Sequence, residues 1–90
     1  MRMIKDYVTE YKEKKGISSY AKTMESLGIQ RAAWTKIKNG GGVSDETAVK
    51  IAEVLKIDPL EIIATSKVFA SPNQEVRKVW VKLANQITSK

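Results

Sequence analysis

Apolar residues recur three and four positions apart along most of the chain, and this spacing predicts about six helices with little strand-like alternation. The first helix is expected from about Met3 to Lys15, where Ile4, Val8 and Tyr11 share a face and Gly16 follows as a C-terminal stop. Ser18 or Ser19 caps a second helix carrying Ala21, Met24 and Leu27, and Gly28 ends it. A third helix is expected over roughly Gln30 to Asn39. Its apolar stripe is Ala33, Trp34 and Ile37, while Arg31, Thr35, Lys36 and Lys38 point elsewhere, and the Gly40-Gly41-Gly42 run breaks it.

Ser44 is a natural cap for a fourth helix, and Asp45 and Glu46 place negative charge in its first turn, where the helix dipole favours it. Ala48, Ile51, Ala52 and Leu55 form its buried face, and it ends near Lys56. Asp58-Pro59-Leu60-Glu61 reads as a cap, a first-turn proline and a capping-box acid opening a short fifth helix. Ser71-Pro72-Asn73-Gln74 repeats that logic for a sixth, with Val76, Val79, Trp80, Leu83 and Ile87 along one side. Trp34 and Trp80 each fall on an apolar face and are expected to be buried core anchors. Ninety residues suffice for one shared core. The chain divides into a main body, residues 1–66, and a C-terminal linker with an amphipathic helix, residues 67–90, that covers the core or pairs with a second copy.

Charge changes this picture because it is sorted along the chain. The net charge is +6, and a basic excess on a small body favours a polyanionic partner. Ser26 to Ser44 carries three basic residues and no acid, whereas Asp45 to Ser66 carries five acids against two bases. The acid-free stretch therefore covers the glycine turn, the third predicted helix and the glycine run after it. Composition also removes chemistry. With no cysteine and no histidine, the chain lacks a disulfide framework, thiolate metal ligands and the commonest general base and zinc ligand. No nucleophile and base pair or metal-ligand cluster emerges, so no enzymatic activity and no cofactor or metal are expected. The N-terminal stretch lacks a signal-peptide apolar core and no apolar run reaches spanning length, so a cytoplasmic location and no membrane partner are expected.

The informative string is SYAKTMESLGIQRAAWTKIKNG: two short helical patterns joined by a glycine-containing turn of three or four residues at Gly28-Ile29-Gln30. This is the grammar of a helix-turn-helix, in which the second helix lies in a DNA major groove and its first residues reach base edges. Arg31, Ala32, Thr35 and Lys36 face outward from the third helix, combining long donors with small residues that permit close approach. Gly40 to Gly42 lacks the lysine and hydroxyl of a nucleotide loop and stands at a helix exit, so it is not read as a phosphate cradle.

The segment GIQRAAWTKIKNG followed by SDETAVKIAEVLKIDPLEII resembles the Cro/phage-repressor (XRE) family of helix-turn-helix domains over roughly Ile4 to Ile63. The resemblance implies an all-α, lambda-repressor-like five-helix domain, here with an extra C-terminal helix, similar to small phage or prophage regulators. It implies base contacts from Arg31, Ala32 and Lys36, with Gln30 and Thr35 at the edge of the reading set. Phosphate contacts are expected from Ser19, Tyr20, Lys22, Lys38 and Asn39, although Ser19 and Tyr20 stand where the family often has glutamine or threonine. Thr23-Met24 replaces the family's usual leucine-alanine pair, and Gln30 replaces a frequent capping serine or threonine.

These observations together predict a sequence-specific regulator of transcription that binds a double-stranded DNA operator, acting as a phage- or prophage-type repressor in a prokaryotic cell or phage-infected host. A homodimer is expected, with Val76, Val79, Trp80 and Leu83 as the candidate contact, and no small-molecule ligand is identifiable. Arg77, Lys78 and Lys82 could add DNA-backbone contacts. The alternative is a helical protein-interaction module such as an antitoxin or phage adaptor.

Overall fold

A computed structural model describes residues 2–88. Met1, Ser89 and Lys90, which the divisions 1–66 and 67–90 include, lie outside the described residues. The described residues form six helices: α1 (Ile4–Lys15), α2 (Tyr20–Ser26), α3 (Ala33–Lys38), α4 (Asp45–Leu55), α5 (Pro59–Ala70) and α6 (Gln74–Thr88). The all-helical expectation, with an extra C-terminal helix, holds.

Local chemistry sets most boundaries. The Asp6 carboxylate accepts from Met3 N at 2.9 Å at the start of α1, and Gly16 closes that helix in the left-handed region at φ 68°. Ser19 Oγ and Ser44 Oγ each accept from the backbone N–H three residues on, at 3.2 and 3.3 Å, and so start α2 and α4. Asp58 Oδ1 accepts from Leu60 N at 2.9 Å ahead of Pro59.

The core is shared by α1 to α5. Ile4, Tyr7, Val8 and Tyr11 meet Met24, Leu27, Ile37, Ile51, Leu55 and Ile62, all nearly or wholly excluded from solvent. Hydroxyl pairs tie the elements at its margin. Tyr11 Oη lies 2.8 Å from Ser26 Oγ, and Tyr20 Oη lies 3.0 Å from Thr9 Oγ1. Thr23, where the resemblance leads one to expect a leucine, is fully buried and donates to Ser19 O four residues back at 2.8 Å, so its hydroxyl needs no outside partner.

Three expectations of helix length and capping change. Glu61 does not close a capping box: its carboxylate accepts from the Tyr7 hydroxyl at 2.7 Å, clasping α5 to α1. Burial pushes the Tyr7 phenol far above its ordinary pKa, the Glu61 bond and charge adding to the shift, so Tyr7 remains the donor. Second, α5 is not short. It runs 12 residues to Ala70, so the chain passes position 66 as uninterrupted helix, and residues 67–70 are not a linker. Its buried residues Ile62, Ala64, Thr65, Ser66 and Val68 lie on more than one side because α1 and α4 cover one face and α6 packs on another. Third, Asn73 rather than Ser71 caps α6, accepting from Glu75 N at 2.7 Å, while Ser71 Oγ donates back to Lys67 O at 2.7 Å.

Among the described helices, α6 packs against α5 alone. Ala84 is its fully buried contact, and Trp80, Leu83 and Ile87 are half-buried rather than enclosed. Val76 and Val79 remain 47% and 65% exposed, so the apolar stripe expected along α6 is only partly covered.

Candidate nucleic-acid interface

The turn between α2 and α3 is built by backbone bonds and one distant lysine. Gly28 N and Ile29 N donate to Glu25 O and Met24 O, each at 3.0 Å, with Gly28 at φ 76°. Lys50 of α4 reaches across and donates from Nζ to Leu27 O at 3.2 Å, capping a carbonyl that α2 leaves free. A cation at this helix C-terminus also suits the dipole.

The third helix is shorter than its periodicity suggests. Gln30, Arg31 and Ala32 form a tight lead-in turn in which Ala33, Trp34 and Thr35 N–H groups bond three residues back, at 3.0 to 3.2 Å. No side chain caps the start of α3, and the tighter turn satisfies those donors instead. The regular α3 has 6 residues. Gln30, Arg31, Ala32, Thr35 and Lys36 are all exposed, on one continuous stretch from lead-in turn to helix. Ile37 alone is buried beneath it, with Ile29, Ala33 and Trp34 partly buried against the core.

Trp34 is half-buried and not the enclosed anchor expected, and Tyr20 covers one face of its indole. The two rings stack with centroids 3.9 Å apart and planes 7° from parallel. Lys12 Nζ lies 5.1 Å over the Tyr20 ring, extending this contact to α1. A cation, a phenol and an indole from three helices thus fix the tilt of α3 against its neighbours.

The C-terminal exit of α3 is equally constrained. Gly40 adopts φ 101°, and a Cβ at Gly41 would sit 2.8 Å from the Lys36 carbonyl oxygen, so the glycine run lets the linker fold tightly back. Val43 N then donates to Ser66 Oγ of α5 at 3.1 Å. The glycines are packing residues.

The residues expected at phosphates divide into two sets. Lys22, Lys38 and Asn39 are exposed beside the α2–α3 surface. Ser19 is engaged as the α2 cap, and Tyr20 has its ring on Trp34 and its hydroxyl on Thr9, so the contacts of these two serve the fold. Two residues escaped sequence reasoning. Lys50 is one; the other is Glu25, whose Oε1 accepts from Arg31 Nε at 3.0 Å and Nη2 at 2.6 Å. A carboxylate six residues before an arginine follows no helical spacing, and only the reversal at Gly28 brings the two together.

Chemically, the surface offers cationic and amide donors with small side chains; Glu25 bonds Arg31, and Asp45 shares a cavity wall with Lys36. No group of three or more histidine, cysteine, aspartate or glutamate side chains is placed to hold a metal ion among the described residues. No described helix is long and apolar enough to cross a membrane.

Two short helices meeting across a glycine turn, with the second fastened by its apolar side and exposing a basic one, define a helix-turn-helix protein. The family model of the Cro/C1-type HTH DNA-binding domain matches residues 10–67, and the chain belongs to that family of DNA-binding regulators. No curated protein and no solved structure matches it. The matched stretch begins within α1 and ends within α5, leaving α6 outside it.

Proposed function

We propose that the protein is a sequence-specific repressor of the phage or prophage type, which occupies an operator by laying the Gln30–Lys36 surface in the major groove. The observation that carries this reading is the coincidence of exposure and charge. Gln30, Arg31, Ala32, Thr35 and Lys36 are all solvent-facing, and the stretch that holds them contains no acid. Arginine and lysine match guanine acceptors, and Gln30 can bond an adenine edge. Lys22, Lys38 and Asn39 supply the flanking phosphate contacts, which fix register without reading sequence.

Selection from random duplex DNA tests this directly. The expected result is an enriched motif bound with steep salt dependence, because lysine and arginine displace counterions from phosphates. Recovery of no motif, or a flat salt response, refutes it.

The same reading assigns the exposed side of α6 to a second copy of the chain. Val76, Val79 and the half-buried Trp80 and Leu83 supply its apolar contact. In an antiparallel pair crossing near Val79, Val76 and Leu83 of opposite copies lie close together, and Glu75 of one copy lies close to Lys82 of the other. Parallel pairing would set like charges together. A dimer would present two reading surfaces to half-sites about 34 Å apart. Sedimentation should show Glu75→Lys weakening association and Lys82→Glu restoring it in the double variant. A wild-type chain that stays monomeric at high concentration and on its operator refutes the pairing.

A further inference from the structure

We infer that Glu25 is the positioning residue for Arg31, fixing the guanidinium so that its outer edge is presented to a guanine in the duplex. The inference rests on the groove-reading function proposed above and names the base that this part of the surface takes.

An arginine carries five N–H donors in a rigid planar fork, with a side edge made by Nε and Nη2 and an end edge made by Nη1 and Nη2. Glu25 Oε1 accepts from both nitrogens of the side edge, at 3.0 and 2.6 Å. The end edge is left with two parallel donors. Two acceptors side by side, O6 and N7, are what guanine shows in the major groove, and no other base presents that pair. Adenine sets a donor beside its N7 and would repel one of the two.

The carboxylate has no comparable role in the fold. The Arg31 and Glu25 side chains are 68% and 51% exposed, a setting in which an ion pair stabilises a protein little. Glu25 also stands immediately before the acid-free stretch, where its charge opposes approach of any phosphate backbone. An acid there weakens binding to every duplex. Its compensating effect is on direction: an untethered arginine bonds phosphate as readily as base, whereas a tethered one has already lost much of the rotamer freedom that docking would otherwise remove. Glu25 therefore lowers indiscriminate binding and raises the preference for one base at one position.

The test uses the full chain and a selected operator. The base pair read by Arg31 is the one whose preference disappears in Arg31→Ala, and duplexes carrying each of the four pairs there are compared for wild type, Glu25→Gln and Glu25→Ala. The preferred base should be guanine. Both Glu25 variants should bind random duplex about 3–10-fold more tightly, since a charge opposing the phosphates is gone. Their guanine preference should fall about 5–10-fold, with preferences elsewhere unchanged, and Arg31→Ala combined with Glu25→Ala should lose no more discrimination than Arg31→Ala alone. Thermal melting should stay near that of wild type, which separates positioning from misfolding. A Glu25→Ala protein that keeps or raises its preference overturns the inference, as does an Arg31-dependent base other than guanine. A wild type with no sequence preference overturns the repressor reading as well, so the two failures are distinct.

Discussion

The two outward-facing helices of this molecule, α3 and α6, solve opposite problems. At 6 residues α3 is too short to hold a shape by itself, yet it is constrained at every side: Ile37 in the core, Trp34 under Tyr20, a lead-in turn closed by backbone bonds and a glycine exit folded against Lys36. What it exposes is polar. The 15 residues of α6 form a longer, strongly amphipathic helix, but among the described helices it rests on α5 alone and leaves Val76 and Val79 in solvent. Rigidity in this fold thus comes from tertiary attachment, not from helix length. The chemistry left exposed separates the two roles: donors on α3 suit a polar, charged ligand, and apolar groups on α6 suit burial against another protein surface.

Substitutions sharpen that contrast in descending order. Ile37→Ala removes the buried foot of α3 and should destabilise the fold by about 3 kcal/mol in urea unfolding, with DNA affinity falling alongside. A negligible loss would mean that α3 is not anchored through Ile37. Arg31→Ala and Lys36→Ala should leave unfolding unchanged while each weakening operator binding by about 1–3 kcal/mol and relaxing preference at one position, read by titration against substituted duplexes. Uniform losses over all sequences would assign those residues to phosphates instead. Lys22→Ala and Lys38→Ala should show that uniform pattern and reduce the salt-dependence slope by about 1 each. The smallest effect on the folded monomer is expected at α6, where Val79→Lys should alter unfolding by less than about 0.5 kcal/mol while disrupting self-association. A large loss of monomer stability would show that Val79 belongs to the core.

The turn at Gly28 and the exposed face of α3 were readable because each is a local property: a glycine between two apolar periods, and a run of nineteen residues, 26–44, free of acids. Where periodicity misled, a partner far along the chain had intervened. Glu61 has capping-box spacing and was drawn instead to Tyr7, 54 positions away. Trp34 lies on the apolar stripe but is covered on one face by Tyr20, a residue that sequence reasoning had sent to a phosphate. The length of α5 was underestimated because its buried residues are spread round the helix, which erases the one-sided pattern that marks a helix in sequence.

The sequence by itself determined that the chain is helical, that Gly16, Ser19, Ser44 and Asp58 stop or start its helices, and which stretch is basic, since these follow from interactions spanning a few residues. Tertiary structure alone decided which half of each amphipathic face is covered, that Lys50 caps the end of α2, and that Glu25 grips Arg31. Those outcomes depend on the reversal at Gly28 and on the docking of α4 and α6, where contact is set by distance in space and not by separation along the chain.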